Sequence, residues 1–434
     1  MESKLIPILV FVAVYGLISF EVLNKAVAAL LGVMVLIILR VTDVHTAAGN
    51  IDFETIMLLL GMMAIVAVLR KTGVFAMLSV KIAKLTEGSP LKILVLFSLV
   101  TACTSAFLDN VTTVLIMVPM VIEITRGMGL DPKIYVITQA MVSNIGGTAT
   151  LIGDPPNVII GSKVGLTFNQ FAAYLAVPVI VSFTGVLFYC WLTNRERFRP
   201  IDTNLAKLFS VQLLLEKIEY DSLNIPIDRN FLLTSLGGLG MALLLFVTQT
   251  ITGLTPGVTA LSVAMILFVI TAVDVEEMLR EIDWSTLLFF SGLFILVGIL
   301  EEKGFIEWIA RSIFLRIGHN PYAMVLTVLW VSGIVSGFID NIPFTITMIP
   351  VVRLMLESQA VPHNVLWWAL SLGACMGGNL TMIGASASIV SCGTAKKYGY
   401  PITFFEFMRT SAIATIISLV LSSLILIVYM LILP

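Results

Sequence analysis

Residues 105–119 read SAFLDNVTTVLIMVP, and residues 336–350 read SGFIDNIPFTITMIP. Each sets an Asp-Asn pair, Asp109-Asn110 or Asp340-Asn341, between two apolar arms. The second pair follows the first by a constant offset (340 − 109 = 231). A carboxylate inside an apolar span is costly, so its presence there marks a candidate site. Two of them in register make accident a poor explanation.

The rest of the composition sets the solvent. The 434 residues are 58% hydrophobic and 12% charged, with a mean hydropathy of +1.03, whereas soluble domains carry about 25% charged residues. Runs such as Leu5–Phe20, Ile56–Leu69, Phe171–Trp191, Phe231–Gln249 and Ile413–Leu433 approach the roughly 20 apolar residues of a membrane-crossing helix. The reading is an all-α membrane protein whose first partner is the lipid bilayer. The first run lacks a lysine-rich start and a small-residue cleavage site, so it is expected to stay as a span. A net charge of −2 and a pI near 6.0, with no basic cluster, give no footing for nucleic acid. The four cysteines stand apart in apolar segments without metal-binding spacing and read as small buried hydrophobes. No phosphate-binding GxxxxGK[ST] loop occurs, so no ATP-driven pumping by this chain, no enzyme activity and no cofactor are expected.

Working outward, Leu5–Phe20 and Val27–Leu39 form two spans joined by a short turn at residues 21–25. A third runs from about Phe53 to Leu69, and the basic, amphipathic stretch Arg70–Lys92 reads as an interfacial helix. The arms on either side of Asp109 are barely 14 residues, short for a crossing. They predict a re-entrant hairpin over about 93–124 with the Asp-Asn pair at its tip. The span over about 134–160 contains GGTATLIGDPPNVII. Its Gly146-Gly147, Gly153 and Pro155-Pro156 predict a broken helix, and bare backbone at membrane depth must face protein or a cavity. After a closing span, residues 194–230 form a polar linker. Residues 231–434 then repeat the plan, with a hairpin over about 322–356 and a broken helix over about 369–391 that contains GGNLTMIGASAS. Ile51-Asp52 returns as Ile282-Asp283.

Five crossings in residues 1–193 put the second half into the membrane from the other side. The halves are therefore predicted to be inverted repeats, about ten transmembrane helices in all, with both broken helices meeting at a midplane site. Loop charge agrees. One face collects Lys25; Arg70, Lys71, Lys81, Lys84, Lys92, Arg126 and Lys133; Arg195, Arg197, Arg199, Lys207, Lys217 and Arg229; Arg280; Lys396, Lys397 and Arg409. The other holds Lys4, Arg40, Lys163, Lys303, Arg311, Arg316 and Arg353. The first face is expected to be cytoplasmic, linker included.

The four motifs together resemble the family of the melanosomal P-protein (pink-eyed dilution) and its prokaryotic relatives, grouped with the arsenite permeases in the ion transporter superfamily. The resemblance runs through both halves from about Ile51 onward. It implies a secondary transporter of a small inorganic ion or solute, of the arsenite/antimonite type or Na⁺, working by alternating access coupled to H⁺ or Na⁺. A Na⁺/H⁺ antiporter of the D type, or an anion channel or transporter regulating compartment pH, are the alternatives it carries. It also implies a homodimer in a prokaryotic plasma membrane, and an arsenite permease can recruit a separate ATPase. The superfamily's divalent-anion symporters have Ser-Asn-Thr at each tip. Here those positions carry carboxylates, which argues against a dicarboxylate substrate.

The candidate ligands are Asp109, Asn110, Asp340 and Asn341, which form a candidate Na⁺ site, together with Asp154, Asn157, Thr148 and Asn379. The amides of Gly146, Gly147, Gly377 and Gly378 add donors. A carboxylate out of water favours its protonated form, and a bound cation favours the charged one, so such a group exchanges H⁺ for Na⁺. Each Asp also has a plainer reading as a helix N-cap. The halves differ, because Asp154 becomes Ala385, Asn157 becomes Ser388 and Thr148 becomes Asn379. An intramembrane aspartyl protease would need a Gly-x-Gly-Asp signature. The residues before Asp154, Leu151-Ile152-Gly153, do not supply it. His45, His319 and His363 fall in expected loops and are assigned no role.

Overall fold

The computed structural model describes residues 2–19, 22–86, 89–198, 228–305, 308, 320–358 and 364–432, and no strand occurs among them. The first half runs α1 (Glu2–Ser19), α2 (Lys25–Ile38), α3 (Val44–Gly49), α4 (Phe53–Lys71), α5 (Val74–Thr86), α6 (Pro90–Ser105), α7 (Asn110–Gly127), α8 (Lys133–Gly147), α9 (Pro155–Val164) and α10 (Phe168–Thr193). The second runs α11 (Arg229–Val247), α12 (Gln249–Thr252), α13 (Pro256–Thr271), α14 (Val275–Arg280), α15 (Trp284–Glu302), α16 (Pro321–Ser336), α17 (Asn341–Ser358), α18 (Val365–Gly377), α19 (Ser386–Lys397) and α20 (Phe404–Ile432). The pairs α3/α14, α4/α15, α6/α16 and α7/α17 have both limits 231 residues apart.

Local chemistry explains why the boundaries recur. Asp52 and Asp283 cap α4 and α15. Each accepts the N–H three residues on, from Thr55 at 3.3 Å and Thr286 at 3.1 Å, and the hydroxyl of the same threonine. Pro90 and Pro321 open α6 and α16, where a missing N–H costs nothing, behind the caps Ser89 and Asn320.

The helices form two groups. In one, α2 packs on α15 and α4 on α13, with α1 and α11 beside them. In the other, α6 lies on α8, α16 on α18 and α10 on α20. The repeats interlock there: α9 lies against α17 and α18, while α19 lies against α7 and α8. Helices α8 and α18 are buried on all sides from Ile134 and Val365 to their ends, as a helix apolar all round must be. Outside, Val177, Ile180, Phe188, Leu244, Val269, Ile270 and Leu431 stand exposed. So much exposed apolar surface suits hydrocarbon, not water. The protein is an integral membrane protein.

Among the described residues, six helices are long and apolar enough to cross a membrane: α4, α7, α10, α11, α15 and α20. The apolar α2, α6, α13, α16 and α18 are shorter. This is fewer than the expected ten, because Asn, Gly and Pro end many apolar runs early. One arm length is corrected. Helix α7 has 18 residues rather than about 14 and is itself one of the six, since Glu123, Thr125 and Arg126 continue the helix. Residues 199–227, most of the expected linker, lie outside the described residues, as do His319 and His363.

The paired glycines of the broken helices also act differently from expectation. Gly146, Gly147 and Gly377 are still helical, and the first break begins at Thr148. What they supply is room. A Cβ on Gly146 would stand 2.3 Å from the Ala102 carbonyl oxygen and 2.5 Å from its Cα, and Gly377 meets Gly333 with the same two distances. Small residues let helix backbones approach this closely. Gly146→Ala gains about 1 kcal/mol of helix propensity but overpacks a backbone contact, at a cost of about 1–3 kcal/mol or more. Its melting temperature in detergent is expected to fall. Gly240→Ala, where a Cβ meets nothing within 4 Å, is expected to match or exceed the parent.

Candidate functional site

Each hairpin turns through four residues, 106–109 and 337–340, and each broken helix unwinds just beside one, over 148–154 and 378–385. A threonine pins tip to break in both repeats. The Thr150 hydroxyl donates to the Ala106 carbonyl, and that of Thr381 donates to the Gly337 carbonyl at 2.6 Å. Backbone freed from the helical ladder is thereby satisfied inside the protein.

At the first tip, Asp109 caps α7, accepting the Thr112 N–H at 2.9 Å and its hydroxyl at 3.2 Å. Next to it, the Asn110 amide donates to Asn144 at 3.0 Å and to Asp154 Oδ1 at 3.3 Å. Asn144 in turn donates to Asn379 Oδ1 at 2.8 Å, and Asn379 donates to the Met141 carbonyl at 3.1 Å. A line of amides therefore runs from the first tip, through one broken helix, into the other.

Asp154 stands at the N-cap position of α9, yet its side chain makes no capping bond. It is fully buried, and Oδ2 makes no hydrogen bond of good geometry, with the Cys375 thiol and the Asn341 amide as its polar neighbours. Asn341 at the second tip is also buried, with its side-chain amide nitrogen unpartnered. Both residues line one cavity of about 430 Å³, together with Asp109, Asn110 and Thr112 from the first tip, Pro155 from the first break, and Ser386 from the second. Leu58, Met62 and Val66 of α4 form an apolar wall opposite, and Asp283, Thr286, Lys25, Arg70 and Glu281 complete it.

The remaining expected residues stand behind this lining. Thr148 donates to the Asn144 carbonyl at 2.8 Å. Asn157 donates to the carbonyls of Thr148 and Thr150 at 3.0 and 2.9 Å and accepts from the Ser371 hydroxyl. Gly146, Gly147, Gly377, Gly378 and Asn379 support the breaks without facing the cavity. Asp340 is 5% exposed and carries an ion pair from Lys25.

Sequence reasoning missed Asn144 and Lys25. Asn144 lies two positions before the Gly146-Gly147 pair, a polar residue in an otherwise apolar run, and that was its signal. Lys25 read as a loop charge because it follows a turn. It is instead the first residue of α2, and its ammonium points at the second tip. Both basic groups on the cavity are thus engaged, Lys25 with Asp340 and Arg70 with Glu281 at 3.1 Å. Asp109 and Asp154 have no cationic partner among the described residues. Nor do three His, Cys, Asp or Glu side chains gather there into a metal cluster.

A second cavity of about 100 Å³ is lined by Asn50, Lys163, Phe294, Val297, Glu301 and Arg353, among others. Asn50, Val66 and Arg70 precede Glu281, Val297 and Glu301 by 231 positions, so the small cavity is the counterpart of the large one in the other repeat. Lys163 sits over the Phe294 ring at 5.3 Å, and Arg353 donates to the Lys163 carbonyl at 3.0 Å.

The profile of a family described as citrate transporter matches residues 15–373. An uncharacterized transporter of Mycobacterium tuberculosis is 38% identical over 97% of this chain and 97% of its own length. The 46 kDa membrane protein of Mycobacterium leprae is 38% identical over 96% and 97%. The human P protein is 33% identical over 92% of this chain and 57% of its own length.

Replacing Asn144 by Ala strips the amide line of its middle member, leaving Asn110 with Asp154 alone and Asn379 Oδ1 without its donor. Each unmatched buried group costs about 1–3 kcal/mol. The variant is expected to melt several degrees below the parent in a detergent thermal-shift assay. An unchanged melting temperature would show that the amide line contributes nothing to stability.

Proposed function

Because the chain belongs to the citrate transporter family, we propose that it is a secondary active transporter, moving a small inorganic ion or solute by alternating access coupled to H⁺ or Na⁺. One observation carries the reading: the undersatisfied Oδ2 of buried Asp154 at the shared cavity. A buried oxygen whose neighbouring donors, the Cys375 thiol and the Asn341 amide, do not close a well-formed bond is left undersatisfied, and an unmade bond there costs up to about 1–3 kcal/mol. A proton, a cation or a solute at that oxygen completes it. Asn341 offers a donor, and Asp109 a second carboxylate, on the same cavity wall.

The cavity's charge bears on the cargo. With Lys25 and Arg70 paired, carboxylates remain in excess, so a free polyanion such as citrate meets no unpaired cation on the described lining. A monovalent cation, a neutral hydroxide of the arsenite type, or a carboxylate accompanied by cations fits better. Na⁺/H⁺ exchange is the leading alternative, since it needs only the carboxylate that Asp154 provides.

Access follows from the unequal sizes of the two cavities that the 231-residue offset relates. If the repeats are inverted, with re-entrant hairpins meeting at the midplane, the 430 Å³ cavity opens toward the face bearing Arg70 and Arg280. Its counterpart toward Lys163 and Arg353 holds only about 100 Å³. By loop charge the open face is cytoplasmic, and the mycobacterial relatives suit a bacterial plasma membrane. Exchange of the larger and smaller cavities would carry cargo across.

Uptake into proteoliposomes under imposed pH or Na⁺ gradients, with arsenite, Na⁺, chloride, succinate and citrate in turn, tests this. One of these solutes is expected to move in a saturable, gradient-dependent way. Asp154→Asn and Asp109→Asn are each expected to lower the coupled rate at least about tenfold, roughly 1.4 kcal/mol at the rate-limiting step. Gradient-independent, non-saturating flux would favour a channel, and full coupled transport by both variants would remove the carrier role.

A further inference from the structure

We propose that Lys25 supplies a resident cation at the second tip. Its ammonium takes, at Asp340, the place that an exchangeable proton or metal cation takes at the first tip. This rests on the carrier reading above for the first tip only.

The argument is one of matched differences. Lys25 Nζ bonds Asp340 Oδ2 and lies 3.1 Å from Ser386 Oγ, which itself reaches Asp340 Oδ2 at 3.4 Å. The carboxylate side chain is 4% exposed, and the lysine 31%. Asp340 Oδ1 takes the Ile342 N–H at 3.2 Å, so both oxygens are engaged. At the first tip the backbone N–H is kept, with Val111 in the place of Ile342, but every side-chain partner is changed. The residue 231 after Lys25 is Pro256, so nothing equivalent reaches Asp109. The counterpart of Ser386 is Pro155. The counterpart of Thr112, which caps with N–H and hydroxyl, is Pro343, which has neither. Losing the threonine removes two donors from Asp340, and the lysine and serine supply replacements.

Lys25 is also held in place. Asn24 caps α2 by accepting the Ala26 N–H at 2.9 Å, and the Ser285 hydroxyl of α15 donates to the same Asn24 oxygen at 3.1 Å. The turn is thereby fixed to the group of helices that faces the hairpins. A tethered ammonium cannot leave with the cargo, so one tip exchanges its cation and the other does not. A buried carboxylate stripped of its cation should accept a soluble one, and a ligand that binds only the native state raises its melting temperature.

The test uses the purified protein and no transport assay. Lys25→Ala is expected to melt below the parent and to regain stability as methylammonium or Na⁺ is added. Lys25→Arg is expected to behave as the parent. In Lys25→Ala/Asp340→Asn the cation dependence disappears and stability returns toward the parent. Should Lys25→Ala fail to fold, recovery of folded protein by that double variant supports the proposal, and failure of the double as well overturns it. Lys25→Cys in a Cys103→Ser background, which removes the one exposed cysteine, provides a second route. Aminoethylation of the new thiol restores an ammonium and should restore stability. A Lys25→Ala protein with no new cation dependence, or additive effects of the two single changes, would overturn the proposal. Both outcomes are independent of whether Asp154→Asn abolishes coupling.

Discussion

A carboxylate or an unwound stretch of backbone cannot be left bare in hydrocarbon, and in this fold both occur at the same depth in each repeat. The structure meets this constraint by making the defects satisfy one another. Threonine hydroxyls from the breaks bond the carbonyls of the hairpin turns, and an asparagine of one tip bonds the carboxylate of the neighbouring break. Asn144 and Asn379 then carry the line from one broken helix to the other. Glycines at 146 and 377 bring the broken helices near enough to the hairpins for these bonds to form. Among the groups left without a well-formed bond, the Asp154 Oδ2 and the Asn341 amide nitrogen belong to residues that line the cavity.

The two repeats share a backbone plan but have diverged in chemistry. Asp154 corresponds to Ala385, and the Thr112 and Pro155 of one half are replaced by Pro343 and Ser386 in the other. Apolar residues of α4 wall the larger cavity, while its counterpart is narrowed by Lys163, Phe294, Glu301 and Arg353. The duplicated scaffold thus encloses unequal cavities, of about 430 and 100 Å³, without altering the helix limits that recur between its halves.

Much of this could be read from the residues. The 231-residue offset predicted helix limits that recur in the structure, because caps and helix-opening prolines are local signals. The Asp-Asn tips and the Gly-Pro breaks were legible for the same reason, polar or helix-breaking residues inside apolar runs. Pairing across the chain was not. Nothing near Lys25 indicates that it would meet Asp340, since that contact depends on how two groups of helices dock. The roles of Gly146 and Gly377 were misjudged similarly: a glycine that unwinds a helix and one that admits a neighbour look alike in sequence. The length of α7 was underestimated because Arg126 read as a loop charge, though it continues the helix.

The central claim is that the Asp154 carboxyl, undersatisfied on one oxygen at the shared cavity, is the group that changes protonation or cation partner during transport. Infrared difference spectroscopy of the protein in membranes, stepping first pH and then Na⁺, observes this directly. A protonated-carboxyl band should disappear on raising pH or adding the coupling ion, and it should be missing altogether from Asp154→Asn. The same band persisting unchanged in Asp154→Asn would contradict the account.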